Sequence, residues 1–331
     1  MPAYDDPRLK LPPSGAGIAM QVNAGVVSLR KAPEPDGEQA SQMLHGEEVI
    51  LHHEAGEFGL VQSRHDNYTG WALMEALSAP VLVPTHRVSV LRAYVYPSPS
   101  IKASPRFPVS LGARLASTGI REGRFVQCER SGWVIADQLS PIDSFDDDPA
   151  DIALRYLHTP YLWGARESLG IDCSGLIQQA FGACGVQAPR DSDMQAAWLG
   201  APVAEWTAVG ALQRNDLIFW KGHVGLMLDS SRVIHANGHH MAVAAEPLRE
   251  AIDRIEPLYG RPTQARRLNI PLARDRKVPV WMQKTYSAAS SRLTSGLSAS
   301  TTAMSPAASS ASAAATSAGE PASGRAGASG E

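Results

Sequence analysis

Three side chains define the chemistry this sequence can support. They are Cys173 in Ile171-Asp172-Cys173-Ser174-Gly175-Leu176-Ile177, His223 in Gly222-His223-Val224-Gly225-Leu226, and His235 in Val233-Ile234-His235-Ala236. A thiol becomes a usable nucleophile when an imidazole can take its proton, and the imidazole needs a third group to fix its ring and tautomer. His235 follows His223 by twelve positions, which suits two antiparallel strands joined through Asp229-Ser230-Ser231. The two rings could then face each other, with His235 orienting His223. The backbone N–H of Cys173 is a candidate oxyanion donor, and the Tyr161 hydroxyl a second.

The element expected to present the sulfur is a helix. Leu176, Ile177, Ala180, Phe181 and Cys184 recur at helical spacing and Gly185 supplies a stop. Asp172 stands at the N-cap position, which puts Cys173 in the first turn, where free N–H groups and the helix dipole favour a thiolate. Cys184, on the apolar stripe, reads as an inert core residue. Each of these residues has a plainer reading when taken alone: a structural cysteine, two ordinary strand histidines, an aspartate that only caps. Cys173 with two histidines could also hold zinc, but a helix-start thiol beside a strand-borne histidine suits attack better, and neither metal nor cofactor is expected. His52-His53 and His239-His240 read as loop or edge residues.

Around these residues the pattern is helix first, strand later. Helices are expected over Pro149–Leu157 and Ser192–Leu199, the second capped by Asp191 or Ser192. Strands are expected over Asp216–Trp220, His223–Asp229, Arg232–His235 and Met241–Ala244. That segregation implies an α+β domain. Earlier in the chain, short strand candidates lie between turns: Ala24–Leu29, Glu48–His52, Gly59–Val61 and Gly70–Leu73, then Val88–Leu91, Arg124–Cys128 and Gly132–Ala136. Ser131-Gly132-Trp133-Val134 echoes Thr69-Gly70-Trp71-Ala72, which implies two small β-barrels in succession. The expected division is an arm over 1–18, barrels over 19–79 and 80–143, a catalytic domain over 148–270, and a disordered Ser/Ala-rich tail over 284–331.

The 331 residues call for more than one core. A net charge of -3 gives no electrostatic case for nucleic acid or an anionic membrane. Three scattered cysteines form neither a disulfide framework nor a CxxC zinc pair. With no signal-peptide pattern and no apolar run long enough to span a bilayer, a cytoplasmic location is expected.

The blocks Asp172-Cys173-Ser174-Gly175-Leu176, Gly-His-Val-Gly and Ile-His-Ala resemble those of the NlpC family of papain-like cysteine peptidases, which cut bacterial cell-wall peptides. Tyr161-Leu162-Trp163-Gly164 and Pro189-Arg190-Asp191-Ser192 match two auxiliary blocks, and Ala165 departs from the second Gly common after Trp-Gly. The resemblance implies Cys173 as nucleophile, His223 as base and His235 as the orienting third residue. The two leading barrels resemble tandem bacterial SH3-type domains, a layout similar to that of γ-D-glutamyl-L-diamino acid endopeptidases. It implies short peptidoglycan peptides with a free N-terminal L-Ala as substrates. Asp172, Tyr68 and Glu38 (with Glu47 as competitor) would grip the ammonium end, and Ser174 and Ser192 the γ-glutamyl part. Two other readings stay open: an exported hydrolase of intact stems, and a binding protein with an inert peptidase fold.

Overall fold

Two runs of the chain repeat one local plan, with Gly-Trp near its end. The computed structural model describes residues 6–9 and 17–274; most of the expected arm and the whole expected tail lie outside them. Strands Ile18–Val22, Val26–Arg30, Gln39–Leu44, Glu48–Ala55, Phe58–Ser63, Thr69–Leu73 and Leu77–Ser78 form one seven-stranded antiparallel sheet. Alternate residues such as Val27 and Leu29, or Val49 and Leu51, enter a common core, as the two-residue period of a strand dictates. The Trp71 strand runs through a single 3-10 turn, Met74–Ala76, into the last strand.

The second run has the same ending. The Trp133 strand, Gly132–Ile135, passes through a 3-10 turn at Ala136–Gln138 into Leu139–Pro141. Here the strands divide into three small sheets around Val88, Val95, Val109, Leu115, Val126 and Val134. Leu44 of the first unit joins this cluster, so the two units share apolar contacts.

The rest of the described chain is a sheet with helices on it. Six antiparallel strands lie in the order Ala201–Pro202, Gln264–Arg267, Leu217–Trp220, His223–Met227, Arg232–Asn237 and Ala242–Pro247. Leu217, Phe219, Val224, Leu226, Ile234 and Ala236 pack with helices α1 (Pro149–Arg155) and α2 (Cys173–Ala183). Ile218, Trp220, Met227 and Val233 pack on the other face with α4 (Leu248–Tyr259); α3 (Ser192–Trp198) and α5 (Ile270–Arg274) complete the helices among the described residues. Asp148 caps α1 through the Ala150 amide, with Pro149 at its first position. The expected helices and strands are present with shifted ends except Val88–Leu91, where the chain breaks between strands His86–Val88 and Arg92–Val95, while α4 and Gln264–Arg267 had no counterpart in the sequence reading. No described helix is long and apolar enough to cross a membrane.

A buried ion pair fastens the first unit to this domain. Arg166 reaches Glu47 at 2.9 and 3.1 Å, both side chains 3% exposed, and its backbone amide donates to Gln42. Removing one partner of such a pair costs about 3–5 kcal/mol, because the other charge stays buried.

Candidate active site

The sulfur is positioned by the start of α2. Asp172 caps the helix, its Oδ1 accepting from the Gly175 amide at 2.7 Å, so Cys173 occupies the first helical position. A Cβ on Gly175 would stand 2.3 Å from the Ala165 carbonyl oxygen, so only glycine lets the helix start approach that loop so closely. The Ala165 carbonyl also accepts the Asp172 amide, so alanine serves where a second glycine was expected. The amides of Val224 and Ser174 point at the sulfur, which puts it beside the strand that begins with His223.

The surroundings oppose the expected thiolate. Burial pushes the Cys173 thiol up to about 12 and the Asp172 charge adds to the rise, while the two amides and Arg190 oppose it. Burial likewise lowers His223 to about 3, with His235 and Arg254 adding to the shift. A helix dipole is a small local effect, and here complete desolvation outweighs it. Both shifts disfavour the charged forms, so burial works against the thiolate that the helix start favours.

The two histidines meet as their spacing implied. His223 Nε2 lies 2.8 Å from Nδ1 of His235, which is fully buried. His235 Nε2 lies 2.7 Å from Glu246 Oε1, and the Arg254 guanidinium donates to the same oxygen. Among the described residues no group of His, Cys, Asp and Glu is disposed to hold a metal ion.

Asp172 was expected to face a substrate ammonium, but both its oxygens are occupied from within. Arg190, 1% exposed, donates to Oδ2 at 2.6 Å and Oδ1 at 3.1 Å, the Gly164 amide reaches Oδ2 at 2.9 Å, and Ser174 Oγ donates to Oδ1. Ser174 Oγ also accepts from Arg190, so it too is turned inward. Arg190 reaches Ser41 of the first unit at 3.0 Å.

Tyr68 points at another carboxylate. Its hydroxyl donates to Asp191 Oδ2 at 3.1 Å. This leaves Asp191, at the N-cap position of α3, without a side-chain cap bond. Arg8 donates to the same oxygen at 2.8 Å and also pairs with Asp6 and Asp193. The described piece of the expected arm therefore docks on this wall, with Leu9 packed against Tyr68 and Met194. Burial raises both the Tyr68 phenol and the Asp191 carboxyl above their usual ranges. Ser192 is buried at the first turn of α3. Burial, then the charges of Cys173 and Asp172, raises the Tyr161 phenol, which places that ring beside the sulfur.

Neither glutamate of the first unit takes the place foreseen for it. Glu38 lies at the surface, paired with Lys31 at 2.7 Å, and Glu47 is held by Arg166. The sequence reading also missed Glu246, Arg190, Asp191 and Arg8 as site residues. Pro-Arg-Asp-Ser marked the middle pair as a block without indicating a partner for either.

A family model described as NlpC/P60 family matches residues 158–258, and one described as Bacterial dipeptidyl-peptidase Sh3 domain matches residues 29–77. The chain is 36% identical over 135 residues to Dipeptidyl-peptidase 6 of Lysinibacillus sphaericus, covering 39% of this chain and 46% of that relative. It is 30% identical over 219 residues to the Gamma-D-glutamyl-L-lysine dipeptidyl-peptidase of Bacillus subtilis (strain 168), covering 59% and 71%. The fold matches the crystal structure of an NlpC/P60 family protein from Bacillus cereus ATCC 10987 with a TM-score of 0.63 at 22% identity, covering 76% of this chain and 99% of that one.

Proposed function

Because this chain belongs to the NlpC/P60 family of cysteine peptidases, we propose that it hydrolyses the γ-D-glutamyl–diamino acid bond of short peptidoglycan peptides that carry a free N-terminal L-Ala. One observation carries the reading. The first SH3-type unit sends Tyr68 onto Asp191, directly after the Arg190 that holds Asp172, the residue preceding the nucleophile. Arg8 bridges Asp6, Asp191 and Asp193, so three carboxylates gather there. A substrate ammonium would satisfy that charge. An acylated amine would leave it unpaired, which is costly in a desolvated pocket. The name of the Bacillus subtilis relative supplies the bond.

In the reaction, Cys173 Sγ adds to the γ-D-glutamyl carbonyl as its proton passes to His223. The Cys173 amide, at the helix start, and the Tyr161 hydroxyl stabilise the oxyanion. His223 returns the proton to the departing amine, leaving a thioester. Water, deprotonated by the same imidazole, then releases L-Ala-γ-D-Glu and restores the thiol. Tyr68 and Asp191 hold the ammonium, Asp172 supports them through Arg190, and Ser192 lines the γ-glutamyl part. The test is incubation with L-Ala-γ-D-Glu-diamino acid peptides, free and N-acetylated, followed by mass spectrometry. Cleavage of the free peptide alone is the expected result; equal cleavage of both removes the ammonium clamp, and cleavage of neither removes the substrate.

A further inference from the structure

His235 sits between two partners of different chemistry, and this constrains the protons in the line. Glu246 takes two donors on one oxygen: burial alone would raise its carboxyl, but the hydrogen bond from His235 and the Arg254 guanidinium bring it below the usual range. A carboxylate only accepts, so the 2.7 Å contact requires the proton on His235 Nε2. When His235 carries that single proton, its bare Nδ1 faces His223, 2.8 Å away, and His223 Nε2 donates to it. One proton is all that a neutral imidazole carries. The lone pair of His223 is then on Nδ1, the ring nitrogen not engaged by His235 and so the one left to receive a thiol proton. With the opposite tautomers, His223 Nδ1 would carry a hydrogen and could not act as the base.

We propose that Glu246 is a positioning residue of this site, which sets the tautomers of both histidines from a strand that carries neither of them. It touches neither sulfur nor substrate. It lies on Ala242–Pro247, directly opposite Val233, and Arg254 of α4 fixes its carboxylate from the other side. His240 is the remaining titratable group facing it. When His223 takes the thiol proton, the carboxylate also offsets the positive charge that appears on the histidine pair.

The kinetic part of this inference rests on the peptidase reading; the proton positions do not. The experiment therefore uses the full chain with two readouts. Nitrogen-15 NMR of histidine-labelled protein should show both His223 and His235 protonated at Nε2 in the neutral state. In Glu246→Ala, kcat for the peptide should fall roughly tenfold or more with KM unchanged, and His235 should become a mixture of tautomers. Glu246→Gln keeps an acceptor oxygen where both donors converge, so its tautomers and most of its rate should survive. A wild-type His235 protonated at Nδ1, or an alanine variant with unchanged tautomers and unchanged Cys173 alkylation by iodoacetamide, would overturn the proposal. A wild-type protein that leaves the peptide intact but shows the stated tautomers would sink the substrate assignment and leave this inference standing.

Discussion

Replacing Arg190 with methionine tests how the site is held together. The guanidinium is 1% exposed and makes four hydrogen bonds: two to Asp172, at 2.6 and 3.1 Å, and one each to Ser174 and Ser41. Methionine fills much of the volume but leaves the Asp172 charge buried without its counter-ion, a loss of about 3–5 kcal/mol for pairs of this kind. Asp172 would keep the Gly164 and Gly175 amides, so the lower end, about 3 kcal/mol, is expected. At about 2–4 °C per kcal/mol for a protein this size, calorimetry should show Tm lower by roughly 6–12 °C. Adding Asp172→Asn should recover part of that loss, since the stranded charge is then gone. A second readout concerns the thiol. Burial drives the rise of the Cys173 pKa, Asp172 adds to it and Arg190 opposes it, so the single variant should be alkylated more slowly by iodoacetamide at a given pH, and the double variant should regain speed. A Tm within about 2 °C of wild type, with unchanged alkylation, would mean that Arg190 does not hold the Asp172 charge.

Tyr68→Phe removes the hydroxyl that orients Asp191; KM for free-amine peptides should rise about tenfold with kcat unchanged, and an unchanged KM would remove Tyr68 from the ammonium subsite. Arg8→Ala leaves Asp191 Oδ2 with the Tyr68 hydroxyl alone, so KM should fall; a rise would show that Arg8 builds the subsite rather than competing for it. His223 and His65, lowered by burial to about 3 and about 4, bind protons more readily once the chain unfolds. Their stabilising contribution is complete above the unfolded value near 6.5 and is lost as pH falls towards 4, with a slope of up to about 1.4 kcal/mol per pH unit for each histidine. Tm measured from pH 7 to 4 should therefore drop, and less steeply in His65→Gln; parallel curves would show that His65 is not neutral in the folded protein.

How much of the site could be read from sequence depended on how far apart its partners lie in the chain. The Asp172 cap and the first-turn place of Cys173 are contacts between near neighbours, so composition and spacing sufficed. The facing histidines belong to one hairpin whose turn residues are visible, so their meeting was legible too. The thiolate was not, because a helix terminus is local whereas burial depends on everything packed around it. The Tyr68–Asp191 and Arg8–Asp191 contacts join residues 123 and 183 positions apart, and no local pattern pairs them. Glu246 is the instructive middle case. The last strand was expected to stop at Ala244, whereas it continues to Pro247 opposite Arg232. His235 lies directly opposite Ala244, so Glu246, two residues further along, projects on the same face as the diagonal neighbour of His235. Ala-Val-Ala-Ala-Glu has too little alternation to fix the length of that strand. Extending it by two residues is enough to bring a carboxylate to the buried side of the second histidine.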